Sequence, residues 1–370
     1  MKKAHDEIVV QPQPYDLTSV GPKVHMRRSL LLGSAVICCT WFVSGYAADA
    51  MPARSAALEG AGTQPTVLNA SDEVLERAVI HRTVEAVEKA RASGAAATTS
   101  ELTYHGGTAD GAAGTIGVET APKIYLVLWG SQWSNDPSGE AGILQEFLSS
   151  IGNSSWLNSV TQYCEDVATG TTFCNGAGTA AGNPKGILPT AGAWYDNASA
   201  APSRPKQSQL AAEAVRAAQH FGNTTATSNA SVQYVIATAH GNNSSGFGRQ
   251  YCAYHSSTSS TVGNVAYTNL PYITDAGASC GANFNGLGAD AGITIVEGHE
   301  AGETITDQFP STGWLDSGGA ENGDKCAWIT SGQGAAAKVT FTTTNYTFPV
   351  QSLWSNAYNS GHGGCVLSYP

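Results

Sequence analysis

Charged side chains are scarce in this 370-residue sequence. They make up 13% of it, and the formal net charge at pH 7 is −11. A negative balance argues against nucleic acid or an anionic membrane as a partner. Glycine is abundant, with 42 residues, and hydrophobic residues reach 42%, which is enough to build a core. Low charge with many glycines is typical of a loop-rich exported protein rather than of a cytosolic enzyme.

Two common cofactor signatures are missing. No pair of cysteines has Cys-x-x-Cys spacing, which excludes a zinc knuckle of that kind. The pairs Gly176-x-Gly178 and Gly286-x-Gly288 lack the final spacing of a dinucleotide-binding loop. A dispersed Ser/His/Asp triad stays open, because sequence spacing does not define one.

Residues 1–50 predict an export leader. Arg27 and Arg28 precede an apolar run from Leu30 to Val43, and small residues follow at Ala47 and Ala50. The uncharged stretch of about 15 residues is shorter than the ~20 that span a bilayer, so a signal peptide is favoured over a stable membrane anchor. We therefore expect a secreted or periplasmic protein.

Residues 51–101 contain one clear helical pattern. From Ser71 to Ala92 acidic residues open the segment, basic residues close it, and apolar residues recur near helical spacing. On this helix His81 is expected to be a polar-face residue. Residues 93–100 are rich in Ala and Thr without periodicity, so a separable segment ends there. We expect 51–101 to be either a propeptide that inhibits an exported protease or a helical N-terminal extension.

Residues 102–370 are expected to form the main domain. Apolar, β-branched and aromatic runs predict strands at Lys123–Trp129, Ser231–Thr238, Asn264–Tyr272 and Ala337–Phe348. Helical spacing predicts helices at Gly139–Ile151, Trp156–Tyr163 and Lys206–Phe221. Helices and strands without a regular repeat predict an α+β fold with a mixed β-sheet, not a doubly wound nucleotide-binding sheet.

Six cysteines follow the leader: Cys164, Cys174, Cys252, Cys280, Cys326 and Cys365. An even number in an exported chain predicts three disulfides, for which 15 connectivities exist. Pairing each cysteine with its neighbour in sequence closes the shortest loops. We therefore expect the bridges 164 to 174, 252 to 280 and 326 to 365.

The segment from Ala289 to Asp307 carries the strongest chemical signal. Residues His299 to Glu303 form a His-Glu-x-x-Glu motif, whose end residues share one helix face. In the zincin pattern His-Glu-x-x-His, the two end residues bind zinc and the Glu beside the first His is the general base. The motif predicts His299 and Glu303 as zinc ligands and Glu300 as the base, on a buried active-site helix of zincin-like type.

A solvated helix with one stray histidine would carry the same five letters. Against this, Gly292, Gly298 and Gly302 are unfavourable in an exposed helix, and the flanking residues are mostly isoleucine and valine. Buried carboxylates beside a histidine need a partner, and a metal ion is the simplest one.

A third ligand is expected from the acidic, Gly-rich loop downstream. Glu321 lies 18 residues after Glu303, a separation that lets the loop return to the helix, and Asp324 is its competitor. Asp316, Glu321, Asn322 and Asp324 are also oxygen donors of the kind that Ca²⁺ prefers, so calcium at 316–324 or a purely structural loop stays open.

Four stretches resemble the phosphate-induced, Exordium-like family of extracellular proteins over residues 102–368. They are Tyr104–Gly107, Lys123–Trp133, Phe247–His255 and Thr304–Trp314. The chain is similar to bacterial members in which a His-Glu-x-x-Glu-x-x-Thr-Asp run precedes Glu-x-x-Asp-x-Cys, as at Glu321, Asp324 and Cys326 here.

Plant members of that family lack the His-Glu pair. The resemblance therefore implies that the scaffold can serve without the metal site, and that His105 and His255 are structural. His240, after the strand predicted to end at Thr238, matches nothing in the family and is not among the expected ligands.

Together these patterns favour an exported zinc endopeptidase acting on a protein or peptide substrate. The alternative is a non-catalytic extracellular matrix or cell-wall protein that binds glycans. Under that alternative, exposed aromatic side chains would contact the sugar: Trp129, Trp133, Trp194 and Trp354.

Overall fold

The computed structural model describes residues 75, 78–94, 101–110 and 114–369. The predicted leader, 1–50, and the start of the predicted helix at Ser71 lie outside the described residues. Within the described part, no helix is both long and apolar enough to cross a membrane.

Sixteen strands and six helices alternate irregularly in the described residues. The strands are β1 Val79–Arg82, β2 Thr103–Tyr104, β3 Thr108–Asp110, β4 Gly114–Ile116, β5 Lys123–Trp129, β6 Cys164–Glu165, β7 Thr179–Ala180, β8 Ala193–Asp196, β9 Val232–Thr238, β10 Tyr251–Ser260, β11 Gly263–Leu270, β12 Trp314–Leu315, β13 Ala337–Phe341, β14 Tyr346–Val350, β15 Leu353–Ser355 and β16 Gly364–Val366. The helices are α1 Val84–Ala92, α2 Glu140–Ile151, α3 Gln207–His220, α4 Ala226–Asn229, α5 Ala291–Thr306 and α6 Tyr358–Gly361. Short 3₁₀ segments include Leu157–Gln162, Ile273–Cys280 and Asp324–Cys326.

A six-stranded mixed sheet is the centre of the fold, in the order β1-β10-β11-β9-β5-β8. Strands β11, β9, β5 and β8 are parallel to one another, whereas β10 runs antiparallel to β11 and to β1. Strands β5 and β9 are almost entirely buried, as parallel strands covered on both faces are. The α+β prediction with a mixed sheet is confirmed.

The two faces of the sheet bury different helices. Along β5, Leu126 and Leu128 point into a core shared with α5, while Val127 points into a core shared with α3. All sixteen residues of α5 are buried. This helix, which carries the His-Glu-x-x-Glu motif, therefore lies in the interior against the sheet.

Glycines let the surroundings of α5 approach its backbone. A Cβ at Gly298 would lie 3.1 Å from the Trp156 ring, and one at Gly302 would lie 3.0 Å from Leu353. A Cβ at Gly292 would collide with the carbonyl oxygen of Cys280. Glycine destabilises a helix relative to alanine, but at these positions the packing leaves no room for a methyl group.

Three disulfides join the predicted neighbours, Cys164 with Cys174, Cys252 with Cys280, and Cys326 with Cys365. This part of the sequence analysis is confirmed. The second bridge ties β10 to the 3₁₀ segment that packs on α5, and the third ties the loop after Asp324 to β16. Two of the three therefore brace the surroundings of the motif.

Three local predictions were wrong. The helix predicted to end at Ala92 begins only at Val84, because the preceding residues pair with β10 as strand β1 and Thr83 caps the helix by accepting from the Ala86 amide. The strand predicted at 337–348 is a hairpin that turns at Asn345, where φ is 62°. The helix predicted at 156–163 is a 3₁₀ segment.

We predict opposite effects for alanine at two helical glycines. Gly142 in α2 is exposed, with no atom within 4 Å of a new Cβ, so Gly142→Ala should raise the free energy of unfolding by about 0.5–1 kcal/mol. Gly292→Ala should lower it by roughly 1–3 kcal/mol, since the methyl group meets the Cys280 carbonyl. Urea unfolding measures both, and stabilisation by both substitutions would contradict this packing.

Candidate metal centre

Helix α5 presents His299 and Glu303 one turn apart. His299 Nε2 lies 3.0 Å from Glu303 Oε1, and both side chains are fully buried. Asp324 brings Oδ1 to 4.0 Å from the same nitrogen, and its side chain is 19% exposed. The possible ligand atoms of these three residues all lie within 4.8 Å of one another. The structure thus brings together His299, Glu303 and Asp324.

A contact between His299 Nδ1 and Gln351 fixes the orientation of the His299 ring. Gln351 Nε2 donates to the carbonyl oxygens of Gly323 and Ser352, so its Oε1 faces His299 Nδ1 at 3.3 Å as an acceptor. Nδ1 must therefore carry a proton, and Nε2 is directed at the two carboxylates. Nε2 makes no hydrogen bond within the described residues. Such a backing hydrogen bond is typical of histidines that bind metal.

The loop that carries Asp324 is held close to α5. The Asp324 amide donates to Glu303 Oε1 at 2.8 Å. At Gly323 a Cβ would lie 2.8 Å from His299 Nδ1 and 2.9 Å from Glu303 Oε1, so only glycine lets the backbone pass there. Asn322 Nδ2 donates to the Gly302 carbonyl oxygen at 2.9 Å.

Glu321, the other predicted third ligand, lies beside His255. Its Oε1 is 3.5 Å from His255 Nε2, and neither of its oxygens makes a hydrogen bond within the described residues. Burial, together with the neighbouring Asp307 and Glu303, raises the pKa of Glu321 well above its usual range. Of the two competitors, Asp324 is therefore the one grouped with His299.

The loop residues expected as calcium donors are engaged differently. Asp316 binds Lys325 Nζ at 3.1 Å and accepts from the Gly318 and Ala320 amides. Because Lys325 is held there, its charge is directed to Asp316 rather than to the carboxylates around His299. Calcium at 316–324 remains an expectation from the sequence alone.

His255 lies in the middle of the carboxylates, although the family resemblance implied a structural role. Its Nδ1 is 3.2 Å from Glu300 Oε2 and 3.6 Å from Glu303 Oε2. Burial alone would lower the pKa of His255, but Glu300 and Glu303 outweigh burial and raise it. His255 sits on β10 with no spacing relation to the motif, so the sequence held no signal for this contact.

His81 is a second histidine that sequence reasoning missed. Its ring stacks on His299 with centroids 3.7 Å apart and an interplanar angle of 3°, and Trp328 covers its other face at 4.8 Å. It is fully buried on β1, so its assignment to a polar helix face was wrong. Neither of its nitrogens makes a hydrogen bond within the described residues, and burial and His299 hold its pKa well below the usual range.

The electrostatics of this cluster favour a cation. Burial raises the pKa of Glu300 to about 8, and burial with the neighbouring Glu303 raises that of Asp324 to about 7. For Glu303 burial acts the same way, but His299 and His255 outweigh it and lower the pKa. So many carboxylates in one interior site are costly unless positive charge is present.

The donor atoms fit a metal ion of the zinc type. His299, Glu303 and Asp324 offer one imidazole nitrogen and two carboxylate oxygens, and three protein ligands are the usual number in catalytic zinc sites. His81, His299 and Glu300, and likewise His255, Glu300 and Glu303, form two further groups of possible ligand atoms within 4.8 Å.

Comparisons of the chain with protein-family models, with curated proteins and with solved structures gave no match. The resemblance to Exordium-like proteins therefore remains a prediction from the sequence. What the site can do is argued below from its own geometry.

We predict that Gln351→Ala lowers zinc affinity by about 10- to 100-fold, because it removes the acceptor that orients His299. Competition with a chromogenic chelator measures this. The control is Gln145→Ala, whose side-chain amide bonds, among the described residues, to its own helix and to Tyr195. Equal zinc affinity in the two variants would contradict the orienting role of Gln351.

The Cys326–Cys365 bridge, two residues past Asp324, should also support the ligand loop. It closes a sequence separation of 39 residues, for which loop entropy predicts about 4 kcal/mol of stabilisation. We expect replacement of both cysteines by serine to weaken zinc binding, and the same change at Cys164 and Cys174 to leave it near wild type. Calorimetric zinc titration compares the two pairs, and equal losses would refute the link.

Proposed function

We propose that the protein is a metal-dependent peptidase of zincin-like architecture, with zinc held by His299, Glu303 and Asp324. The observation that carries the proposal is the buried His299 Nε2, which Gln351 aims at two carboxylates and which makes no hydrogen bond within the described residues. Nitrogen and oxygen donors of this kind suit zinc. The alternative third ligand is Glu321, whose Oε1 lies 3.5 Å from His255 Nε2.

Glu300 is the proposed general base. Its Oε2 is 3.2 Å from His255 Nδ1, while Oε1 makes no hydrogen bond within the described residues. When bound, zinc lowers the pKa of a water molecule towards about 7 and polarises a carbonyl group. Glu300 Oε1 would take a proton from the attacking water and return it to the leaving amine. A carboxyl whose pKa burial raises to about 8 can both accept and return a proton near neutral pH.

His255 is a positioning residue in this scheme. Its raised pKa favours the imidazolium, which lies against Glu300 and Glu303 and offsets part of their charge. The contact to Oε2 also leaves Glu300 with one free oxygen.

The three disulfides are consistent with an extracellular or periplasmic site of action.

The glycan-binding alternative loses much of its basis. Trp133 and Trp354, two of the four tryptophans expected to be exposed, are buried, with 6% and 9% of their surface accessible. Trp133 donates to the Ala237 carbonyl oxygen and Trp354 to Asn356. Their assignment as exposed contacts for sugar was wrong, because both fill the core under α5.

Two measurements test the peptidase proposal. Elemental analysis should find one zinc per chain, lost on His299→Ala. Glu300→Gln should keep the zinc and lower kcat about 10²- to 10⁴-fold, assayed on a protein substrate before and after limited proteolysis of the N-terminal segment.

The matched control is Glu297→Gln on the same helix. Glu297 is equally buried, and burial raises its pKa well above the usual range. This favours the neutral acid, which an amide replaces closely. The Glu297→Gln variant should retain activity. Absence of bound metal after zinc-supplemented purification would refute the proposed function, and full activity of Glu300→Gln would refute the mechanism.

A further inference from the structure

Strand β1 is the edge strand of the central sheet and comes from the segment that precedes the main domain. It pairs antiparallel with the first half of β10, Val79 opposite His255 and His81 opposite Ala253. Residues paired in this way point to the same face of a sheet, so His81 and His255 both face α5. The outer edge of β10, which borders the candidate metal centre, is therefore occupied by the chain's own N-terminal segment.

His81 covers the ligands at the point nearest to that edge. Its ring lies flat on His299 at 3.7 Å, and the ligand atoms of His81, His299 and Glu300 lie within 4.8 Å of one another. A fully buried imidazole whose nitrogens make no hydrogen bond within the described residues is costly as core packing, because an apolar side chain would fill the space without that loss. Next to the proposed metal ligands, the same nitrogens could themselves bind a metal ion.

The rest of the segment, helix α1, lies near the surface. It has no fully buried residue, although Val84 and Val87 pack partly buried against the core shared with α5. Arg91 donates to the carbonyl oxygens of Ala327 and Trp328 at 2.6 and 3.0 Å, and Ser279 donates to Glu85. Such hydrogen bonds contribute about 1 kcal/mol each, so α1 is held less firmly than β1, which pairs with β10 and packs Ile80 against the core shared with α3.

The same contacts bridge the two walls of the site. One wall is β10, to which β1 is paired, and the other is the stretch after Asp324, where Trp328 Nε1 donates to the Arg82 carbonyl oxygen at 2.8 Å. Residues 79–92 thus lie across the site from one wall to the other. A strand held by main-chain bonds on one side and by a ring stack on the other is bound as an extended peptide would be.

We propose that the outer edge of β10 is the peptide-binding groove of the protein, that an extended substrate binds there antiparallel to β10, and that residues 79–92 are its built-in occupant with His81 closing the site. This rests on the proposed peptidase function. In a substrate strand with the same register, the side chain at the position of His81 would point towards Glu300. The side chains before and after it would point away, towards solvent or the core on the other face of the sheet. Recognition by main-chain pairing accepts many sequences, so the groove should be broad in specificity.

Covalent attachment makes the built-in strand hard to displace. A tethered segment binds at an effective concentration in the millimolar range for short linkers, which a free substrate rarely matches. Cleavage between residues 93 and 101 removes that advantage. The chain is therefore latent until it is cut there, after which substrate competes with the segment on equal terms.

The test replaces residues 95–100 with the recognition sequence of a site-specific protease and cuts the protein after it has folded. A fluorescent peptide of residues 78–94 is then added, with and without a metal chelator, and its binding is followed by anisotropy. We expect binding to the cut protein at least about tenfold tighter than to the uncut protein. The peptide carrying His81→Ala should bind about tenfold more weakly with zinc present, and this difference should shrink in chelator.

Ile80→Ala provides the matched control peptide, because Ile80 is on the opposite face and packs into the core shared with α3. Its weakening should be the same with and without chelator. Unlabelled protein substrate should compete with the labelled peptide, and amides of β10 should exchange hydrogen faster after cutting.

The outcomes separate this inference from the proposed function. Hydrolysis that is equal before and after cutting, or a peptide that fails to bind the cut protein, overturns the groove and its occupant and leaves the peptidase proposal intact. If substrate displaces the bound peptide but neither the cut nor the uncut protein hydrolyses the substrate, the groove is supported and the peptidase proposal is refuted. A rise in hydrolysis of at least about tenfold on cutting, with displacement of the peptide, supports both.

Discussion

The structure depends on a concentration of carboxylates in a place that water does not reach. Glu300, Glu303 and Glu321 are all fully buried, and His255 lies among them. Desolvated negative charge on this scale has to be balanced, by imidazolium, by protons or by a metal ion. The surrounding architecture can be understood as the means of holding these groups together: an interior helix, a loop drawn against it by Gly323, and bridges on both sides.

This constraint explains why α5 has a sequence that suits no ordinary helix. Its glycines reduce intrinsic stability, yet they admit Trp156, Leu353 and the Cys280 carbonyl to direct contact with the backbone. Close packing on every side leaves the helix little freedom to shift, which keeps His299 and Glu303 in register with Asp324. A site whose ligands must stay within a few tenths of an ångström gains more from this rigidity than it loses in helix propensity.

Sequence patterns predicted what depends on local periodicity. The spacing of His299 and Glu303, strand β5 and the three disulfides between neighbours follow from residues close in sequence. His255 and His81 could not be found in this way, because each is a single histidine brought to the site by pairing between distant strands. The helix predicted at 71–92 failed for the same reason: residues 79–82 have helical spacing, but the open edge of β10 decides their conformation. The grouping of Asp324, rather than Glu321, with His299 depends on a 3₁₀ segment that spacing does not reveal.

The position of β1 also has a consequence for the order of folding. Arg91 and the Trp328 carbonyl that it contacts are 237 residues apart in sequence, and β1 can pair only with a strand that already exists. Contacts of such long range form late, after the local elements and the rest of the sheet. The N-terminal strand, although synthesised first, is therefore the last to join the sheet, and for that interval β10 is an open edge that can pair with another chain. The greatest risk of aggregation thus falls just before the sheet is completed.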